Sequence, residues 1–237
     1  MSEASNGRRA AFRMGAGRAI GVPGIVLFAS FFGFGAFARA AGLDVFQATI
    51  ITATVFALPG QVVLVDQIAT GASLATATVA VTLTAVRLLP MTVAILPVLR
   101  QPGQSAWKQI PLSHFVAVTV WIESMRRLPE IERHLRIPYY LGIVASLWPI
   151  CIVATVLGYE IAGGVPVAIA AALLLLTPFY FLLSMMAAAR ERIDWIAIVA
   201  GFCLGPVFYW YMPGLDLLWT GLVGGTAAFV LTRGWRR

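Results

Sequence analysis

Apolar windows about as long as a bilayer is thick recur from one end of this chain to the other, and no other feature limits its fold so strongly. They run Ala19–Ala41, Val45–Val65, Ala72–Leu99, Ile110–Met125, Tyr139–Leu157, Val165–Ala189, Ile193–Met212 and Leu215–Thr232. In lipid, backbone N–H and C=O groups have no water to bond, so each window satisfies them internally as helix. Of the 237 residues, 60% are hydrophobic and 11% charged, against a globular norm of about 45–50% apolar. With a mean hydropathy of +0.87, a soluble core of this size cannot hide that surface. The sequence predicts an all-α polytopic helical membrane protein of about eight transmembrane helices. A basic cytoplasmic arm, residues 1–18, precedes a single transmembrane domain, residues 19–237.

The net charge of +7 would suggest nucleic acid in a soluble protein, but here the arginines sit between apolar windows and read as topology signals. No nucleic-acid partner is expected. The N-terminal arm, the Arg126–Arg136 loop, Arg190-Glu191-Arg192 and the terminal Arg233, Arg236 and Arg237 are basic, while the connections around Asp44, Glu160 and Asp216 lean acidic. Basic segments inside place both termini in the cytoplasm and require an even number of crossings. One loop objects: Arg100–Gln109 would then lie outside despite Arg100 and Lys108. If Ala72–Leu99 were a hairpin-like broken element, that loop would be inside and the count would change. The arm and first window superficially resemble a secretory signal, but the apolar run is too long for a signal core and further membrane windows follow.

Prolines interrupt the windows at Pro23, Pro59, Pro90, Pro149, Pro178 and Pro206. Each removes a donor and frees a carbonyl, and such breaks open the backbone around midplane sites in transporters, although membrane helices also tolerate proline simply as bends. Pro59-Gly60-Gln61 stands apart, because a helix break and a buried amide coincide. Gln61 can serve a substrate beside the freed carbonyls or bridge two helices. Broken helices are therefore expected in the second and third windows. Both halves, roughly Arg18–Arg126 and Arg136–Arg237, carry a proline in each of their first three windows; four spans per half would make parallel copies, three inverted ones.

Arg87 lies far inside the third window, where an arginine costs at least about 2.5–3.5 kcal/mol. Something anionic should face it, either a substrate carboxylate gripped by the guanidinium or Glu123 or Asp66 in an ion pair that locks two helices, unless the window breaks near Pro90 and leaves Arg87 at an interface. Glu123 reads as a proton-coupling group of raised pKa, or as an interfacial partner of Arg126 or Arg127 by helical spacing. Asp66 reads as a second coupling group or as the end of its span. Glycines at Gly201, Gly205, Gly221, Gly224 and Gly225 allow close helix contact, and Phe208-Tyr209-Trp210-Tyr211 and Trp235 read as interfacial anchors.

The sequence has no phosphate loop, no dinucleotide fingerprint and no metal-ligand cluster, so no cofactor or metal is expected and an enzyme is disfavoured. His114 and His134 stand alone. Cys151 and Cys203 lie in apolar windows as small hydrophobes. Gradient-driven or facilitated transport is the default reading, and a membrane scaffold without its own transport site is the alternative.

Three stretches carry a family resemblance: Phe56-Ala57-Leu58-Pro59-Gly60-Gln61, Leu83–Met91 around Arg87, and Val118–Arg127 around Glu123. In these and in the order of later elements, including Leu176–Phe181 and Gly221–Thr226, the chain resembles the AzlC family, the large subunits of bacterial branched-chain amino-acid exporters. The resemblance implies a proton-driven inner-membrane exporter working with a small AzlD-type membrane subunit. It carries substrate binding over to Gln61 and Arg87; with the break at Pro59 and Gly60 beside Gln61 these four are the expected substrate-binding residues, and Asp66 and Glu123 are the expected proton-coupling groups or charge partners. The chain departs from the family pattern at Ala85, where many members have asparagine, and at Trp121 and Glu123, near which they have an Asp-Glu pair.

Overall fold

The structure, a computed structural model, describes residues 2–86, 88–101, 103, 105–161, 191–211 and 216–233, with scattered positions between 166 and 189. Arg87 and most of the sixth window, with its Leu176–Phe181 motif, lie outside the described residues. Every regular element among the described residues is helical. In chain order these are α1 (Ser2–Ile20), α2 (Val22–Ala40), α3 (Val45–Thr54), α4 (Leu58–Ala69), α5 (Leu74–Ala85), α6 (Leu88–Leu99), α7 (Ile110–His114), α8 (Val118–Arg127), α9 (Arg136–Ile161), α10 (Arg192–Tyr211) and α11 (Asp216–Arg233).

Among the described residues, Val22–Ala40, Arg133–Ile161 and Arg192–Tyr211 are long and apolar enough to cross a membrane, and α5 with α6 form a fourth candidate as a pair bent by 52°. Of the roughly eight expected crossings the described residues thus display three or four: the second and fourth windows are divided into shorter helices, most of the sixth lies outside the described residues, and the eighth shows a shorter apolar helix, Trp219–Thr232. The second window breaks at residues 55–57, between α3 and α4, and the fourth at residues 115–117, between α7 and α8.

Helix α9 is the ruler against which the rest can be placed. At about 1.5 Å per residue its 26 residues extend roughly 39 Å. Helices α1 and α2 lie along it in parallel: Phe12 touches the backbone at Gly142, Gly24 approaches Ile150, and Phe32 touches Gly158. The contact is close because glycines notch both sides. A Cβ on Gly15 would overlap the Tyr139 carbonyl, and one on Gly35 the Thr155 carbonyl. The basic arm is therefore a helix packed on α9, with Ala11 and Ala19 buried. At the far end Arg39 donates to the Tyr159 and Glu160 carbonyls at 2.9 and 3.2 Å, capping the terminus of α9 where the helix dipole favours a cation.

Five more contacts place the broken windows on this ruler. The Tyr159 hydroxyl donates to the Leu43 carbonyl at 2.8 Å, so α3 starts at the far end, where Gly42 supplies the turn at φ +86 that other residues rarely adopt. Trp148, midway along α9, donates to the Ala53 carbonyl at 3.1 Å, so α3 ends at mid-depth. At the arginine-rich end Arg136 donates to the Val98 carbonyl at 3.1 Å, and the Tyr140 hydroxyl donates to the Leu112 carbonyl at 2.9 Å. Three residues beyond Leu112, Phe115 packs edge-on against Trp148 with ring centroids 6.1 Å apart.

The fourth window is therefore a hairpin. Helix α7 rises from the arginine-rich end to mid-depth, and α8 returns to Arg127, which shares a pocket with Arg18 and Tyr139. Helix α6 also ends beside Arg136, so the Arg100–Gln109 segment lies at the same end as the Arg126–Arg136 loop. That removes the objection raised by Arg100 and Lys108, and it does so through the second window. Helix α4 starts at mid-depth and packs on α5, with the Gly60 Cβ position 3.4 Å from the Thr84 hydroxyl. The start of α4 thus meets the end of α5, and the two run antiparallel. With only 52° between α5 and α6, α5 comes in from the far end toward the arginine-rich end, and α3–α4 dips in from the far end as the counterpart of α7–α8.

Candidate functional site

The two hairpins meet at their tips. Phe56 and Phe115, one from each break, pack edge to face at 6.3 Å, and Trp148 stands behind Phe115. Beside Phe56 lies a small, partly open apolar pocket with about 30 Å³ of free space. Its wall is made by Leu27 and Phe31 of α2, by Phe56 and Ala57 at the first break, by Leu58 and Pro59 opening α4, by Leu88 opening α6, and by Ala117, Val118 and Thr119 opening α8.

The backbone at the first break is served unevenly. Its acceptors are taken: Ala53 by Trp148, and Val55 by both the Ala57 N–H at 2.8 Å and the Gln61 amide nitrogen. Its donors are not capped, because neither Ala57 before α4 nor Ala117 before α8 has a side chain that can accept from the first turn. Capping residues are used elsewhere in the same chain, with Asp44 and Gln47 forming a capping box at α3 and Ser73 accepting from Thr76 N–H at α5. Of the helices that open onto the pocket, α4 and α8 are each preceded by an alanine.

Gln61 is fully buried behind the pocket wall. Its amide nitrogen donates to the Val55 carbonyl and its oxygen accepts from the Thr52 hydroxyl at 3.4 Å. The single Thr52 proton is shared between that contact and the Thr155 oxygen 3.0 Å away, and Thr155 donates its own proton to the Cys151 carbonyl at 3.0 Å. This chain of polar groups ties both sides of the first break to α9. Gly60 packs against Val55, Val81 and Thr84. Pro59 lines the pocket directly. Arg87 lies outside the described residues, but it immediately precedes Leu88 of the pocket wall.

The carboxylates part company. Glu123 is one helical turn beyond Thr119 on α8, with a side chain 14% exposed and 3.5 Å from Arg126. This is the spacing-based ion pair the sequence suggested. Asp66 is exposed near the end of α4, five residues beyond Gln61 and so on a different face. The pocket and Glu123 therefore share one helix, whereas Asp66 is remote from both.

Thr119 is the residue that sequence reasoning passed over. It is 1% exposed, it lines the pocket, and its hydroxyl has no hydrogen-bond partner among the described residues. Threonines deeper in their helices, such as Thr49, Thr54, Thr78 and Thr92, donate to a carbonyl four residues back. Thr119 sits in the first turn of α8, where no helical carbonyl lies behind it. No proline or glycine marks this break, so the sequence carries no local signal for it.

Among the described residues no group of histidine, cysteine and carboxylate side chains has the arrangement of a metal site. No curated protein and no solved structure matches the chain. The AzlC protein family matches residues 24–165, a region that holds α2, both hairpins, the pocket and α9 and makes up more than half of the sequence. By that match the chain belongs to the AzlC family, a transport-associated family of helical membrane proteins.

Proposed function

We propose that this protein exports amino acids across the bacterial inner membrane, with branched-chain or related small hydrophobic amino acids as substrates. The observation that carries the reading is the meeting, at mid-depth, of the tips of two oppositely entering hairpins around a small apolar pocket in a member of the AzlC family. Helices broken at mid-depth expose backbone polar groups to a substrate while the rest of the bundle stays sealed, an arrangement that recurs in secondary transporters. Leu27, Phe31, Leu58 and Leu88 give the pocket an apolar wall of the kind an aliphatic side chain contacts.

In this reading Pro59 forms part of the binding wall, and Gly60 and Gln61 hold the break open behind it. Arg87 supplies the cation next to Leu88. The proton gradient is the energy source, with Glu123 carrying the coupling proton one turn from the pocket and Asp66 as a charge group at the far end of α4. A small AzlD-type membrane subunit completes the working exporter.

Efflux of labelled leucine from preloaded cells or proteoliposomes containing both subunits tests the proposal. Arg87→Ala is expected to insert normally and to abolish efflux; normal efflux by that variant removes Arg87 from the mechanism. Replacing both Glu123 and Asp66 by glutamine is expected to abolish efflux driven by a pH gradient while leaving exchange of leucine for leucine. Unchanged pH-driven efflux in the double variant excludes both carboxylates as the coupling site.

A further inference from the structure

At the arginine-rich end of the bundle a second pocket, with about 210 Å³ of free space, lies between α1, the end of α8 and the start of α9. Met14, Arg18, Arg127, Glu130, Ile131 and Tyr139 line it. Arg18 directly precedes the first apolar window, Arg127 ends α8 and Tyr139 opens the fifth window. The pocket therefore sits where hydrocarbon gives way to the headgroup layer of a bilayer. Its two arginines and one carboxylate leave one positive charge uncompensated. Glu130 accepts from one nitrogen of Arg127 at 2.7 Å, so the other Arg127 donors stay available. The Arg18 side chain is exposed and makes no hydrogen bond or ion pair with a described residue. Tyr140 and Tyr159, the other tyrosines of α9, each donate a hydroxyl to a backbone carbonyl. Tyr139 is 1% exposed, yet its hydroxyl bonds to no described residue, and Arg18, Arg127 and Glu130 all lie near enough to act on it electrostatically. Donors from three helices thus converge on one space.

We propose that this pocket binds the phosphodiester headgroup of an anionic membrane lipid, with Arg18, Arg127 and the Tyr139 hydroxyl donating to its oxygens and Met14 and Ile131 against its glycerol. A phosphodiester carries one negative charge, which matches the one left unpaired, and guanidinium groups grip phosphate oxygens in pairs. Basic pockets between helices at a membrane face are where such headgroups dock. Inorganic phosphate shares the anion chemistry but has nothing to place against Met14 and Ile131. A lipid held here spans α1, α8 and α9, and so fastens the basic N-terminal helix to the rest of the bundle. The inference needs the chain to lie in a membrane and is independent of what the protein transports.

The test uses the full chain, delipidated in detergent, and native mass spectrometry to titrate dioleoylphosphatidylglycerol and dioleoylglycerol, which lacks the phosphate. Wild-type protein is expected to bind the first at least about tenfold more tightly, because hydrogen bonds between charged partners are the stronger ones. Arg18→Gln is expected to weaken phosphatidylglycerol roughly fivefold to tenfold and to leave dioleoylglycerol unchanged. Arg13→Gln removes the same charge from the same helix outside the pocket and is expected to bind like wild type. Melting temperatures equal to wild type certify that the variants fold. Tyr139→Phe, expected to weaken phosphatidylglycerol about threefold, decides alone if Arg18→Gln does not fold. Undiminished phosphatidylglycerol binding by a folded Arg18→Gln, or by Tyr139→Phe in its place, overturns the site. Equal losses for Arg13→Gln and Arg18→Gln overturn it too, since the attraction would then be diffuse charge. Inorganic phosphate that displaces the lipid at equal concentration would make the pocket a site for free anions and overturn the lipid assignment.

Discussion

Gln61 gives both ends of its amide to the protein, and that shapes what its replacement should do. The nitrogen serves the Val55 carbonyl released by the helix break, and the oxygen accepts from Thr52, which leads through Thr155 to α9. Gln61→Leu keeps most of the volume and strands these partners in an apolar interior, at a cost of about 1–3 kcal/mol for each group left unsatisfied. Thr52→Val should cost less, because Thr155 retains its bond to the Cys151 carbonyl. Thermal unfolding of the purified variants measures both; a Gln61→Leu protein as stable as wild type would show that the amide does not hold the break. Gln61 could be singled out from sequence because an amide beside Pro59 and Gly60 is conspicuous in an apolar window. Its partners could not: Thr52, Thr155 and Trp148 look ordinary in their own segments and acquire a role only when α3 descends beside α9. Thr119 is hidden for the same reason, since a threonine among valines does not announce that it opens a helix.

Among the helices, glycine decides which pairs approach closely. The sequence drew attention to Gly201, Gly205, Gly221, Gly224 and Gly225, because they cluster, yet of these only Gly224 touches a neighbouring helix, meeting Ala200 and Leu204 of α10 at 3.6 and 3.5 Å. The glycines that matter in the core of the fold are isolated ones, Gly15 and Gly35 on the N-terminal pair and Gly142 and Gly158 on α9. Each faces a backbone carbonyl so closely that a Cβ has no room. Nothing in the local sequence couples Gly142 to Phe12 or Gly158 to Phe32, so their pairing becomes visible only with the tertiary structure. A methyl group at Gly158 must push α2 off α9, and overpacking of this kind costs typically about 1–3 kcal/mol. Gly158→Ala is therefore expected to lower the melting temperature clearly, whereas Gly201→Ala, with open space around it, should leave the temperature unchanged or raise it through better helix propensity. Equal melting temperatures for the two variants would mean that the α2–α9 contact is looser than the glycine notches imply.

For the whole molecule, the question is how the chain threads the bilayer. Hydropathy detects length and apolarity, and a hairpin that dips to mid-depth and returns has nearly the same profile as one crossing. That is why the second and fourth windows read as spans, and why the arginine count then misplaced the Arg100–Gln109 segment. With α3–α4 entering from one end and α7–α8 from the other, the crossings among residues 22–161 reduce to α2, the bent α5–α6 pair and α9. Their alternation requires α2 and α9 to be parallel, which the contacts from Phe12 through Arg39 independently show. A direct check needs single cysteines in a chain whose Cys151 and Cys203 are alanine, probed by a membrane-impermeant maleimide in sealed vesicles of both orientations. Ser105→Cys should react from the same face as Glu132→Cys, and Ala69→Cys, at the end of α4, from the opposite face. This comparison needs no assumption about which face is cytoplasmic. If Ser105→Cys instead labelled together with Ala69→Cys, the second window would be a true crossing, the hairpin tips would not meet, and the pocket between them would lose its opposed helix termini.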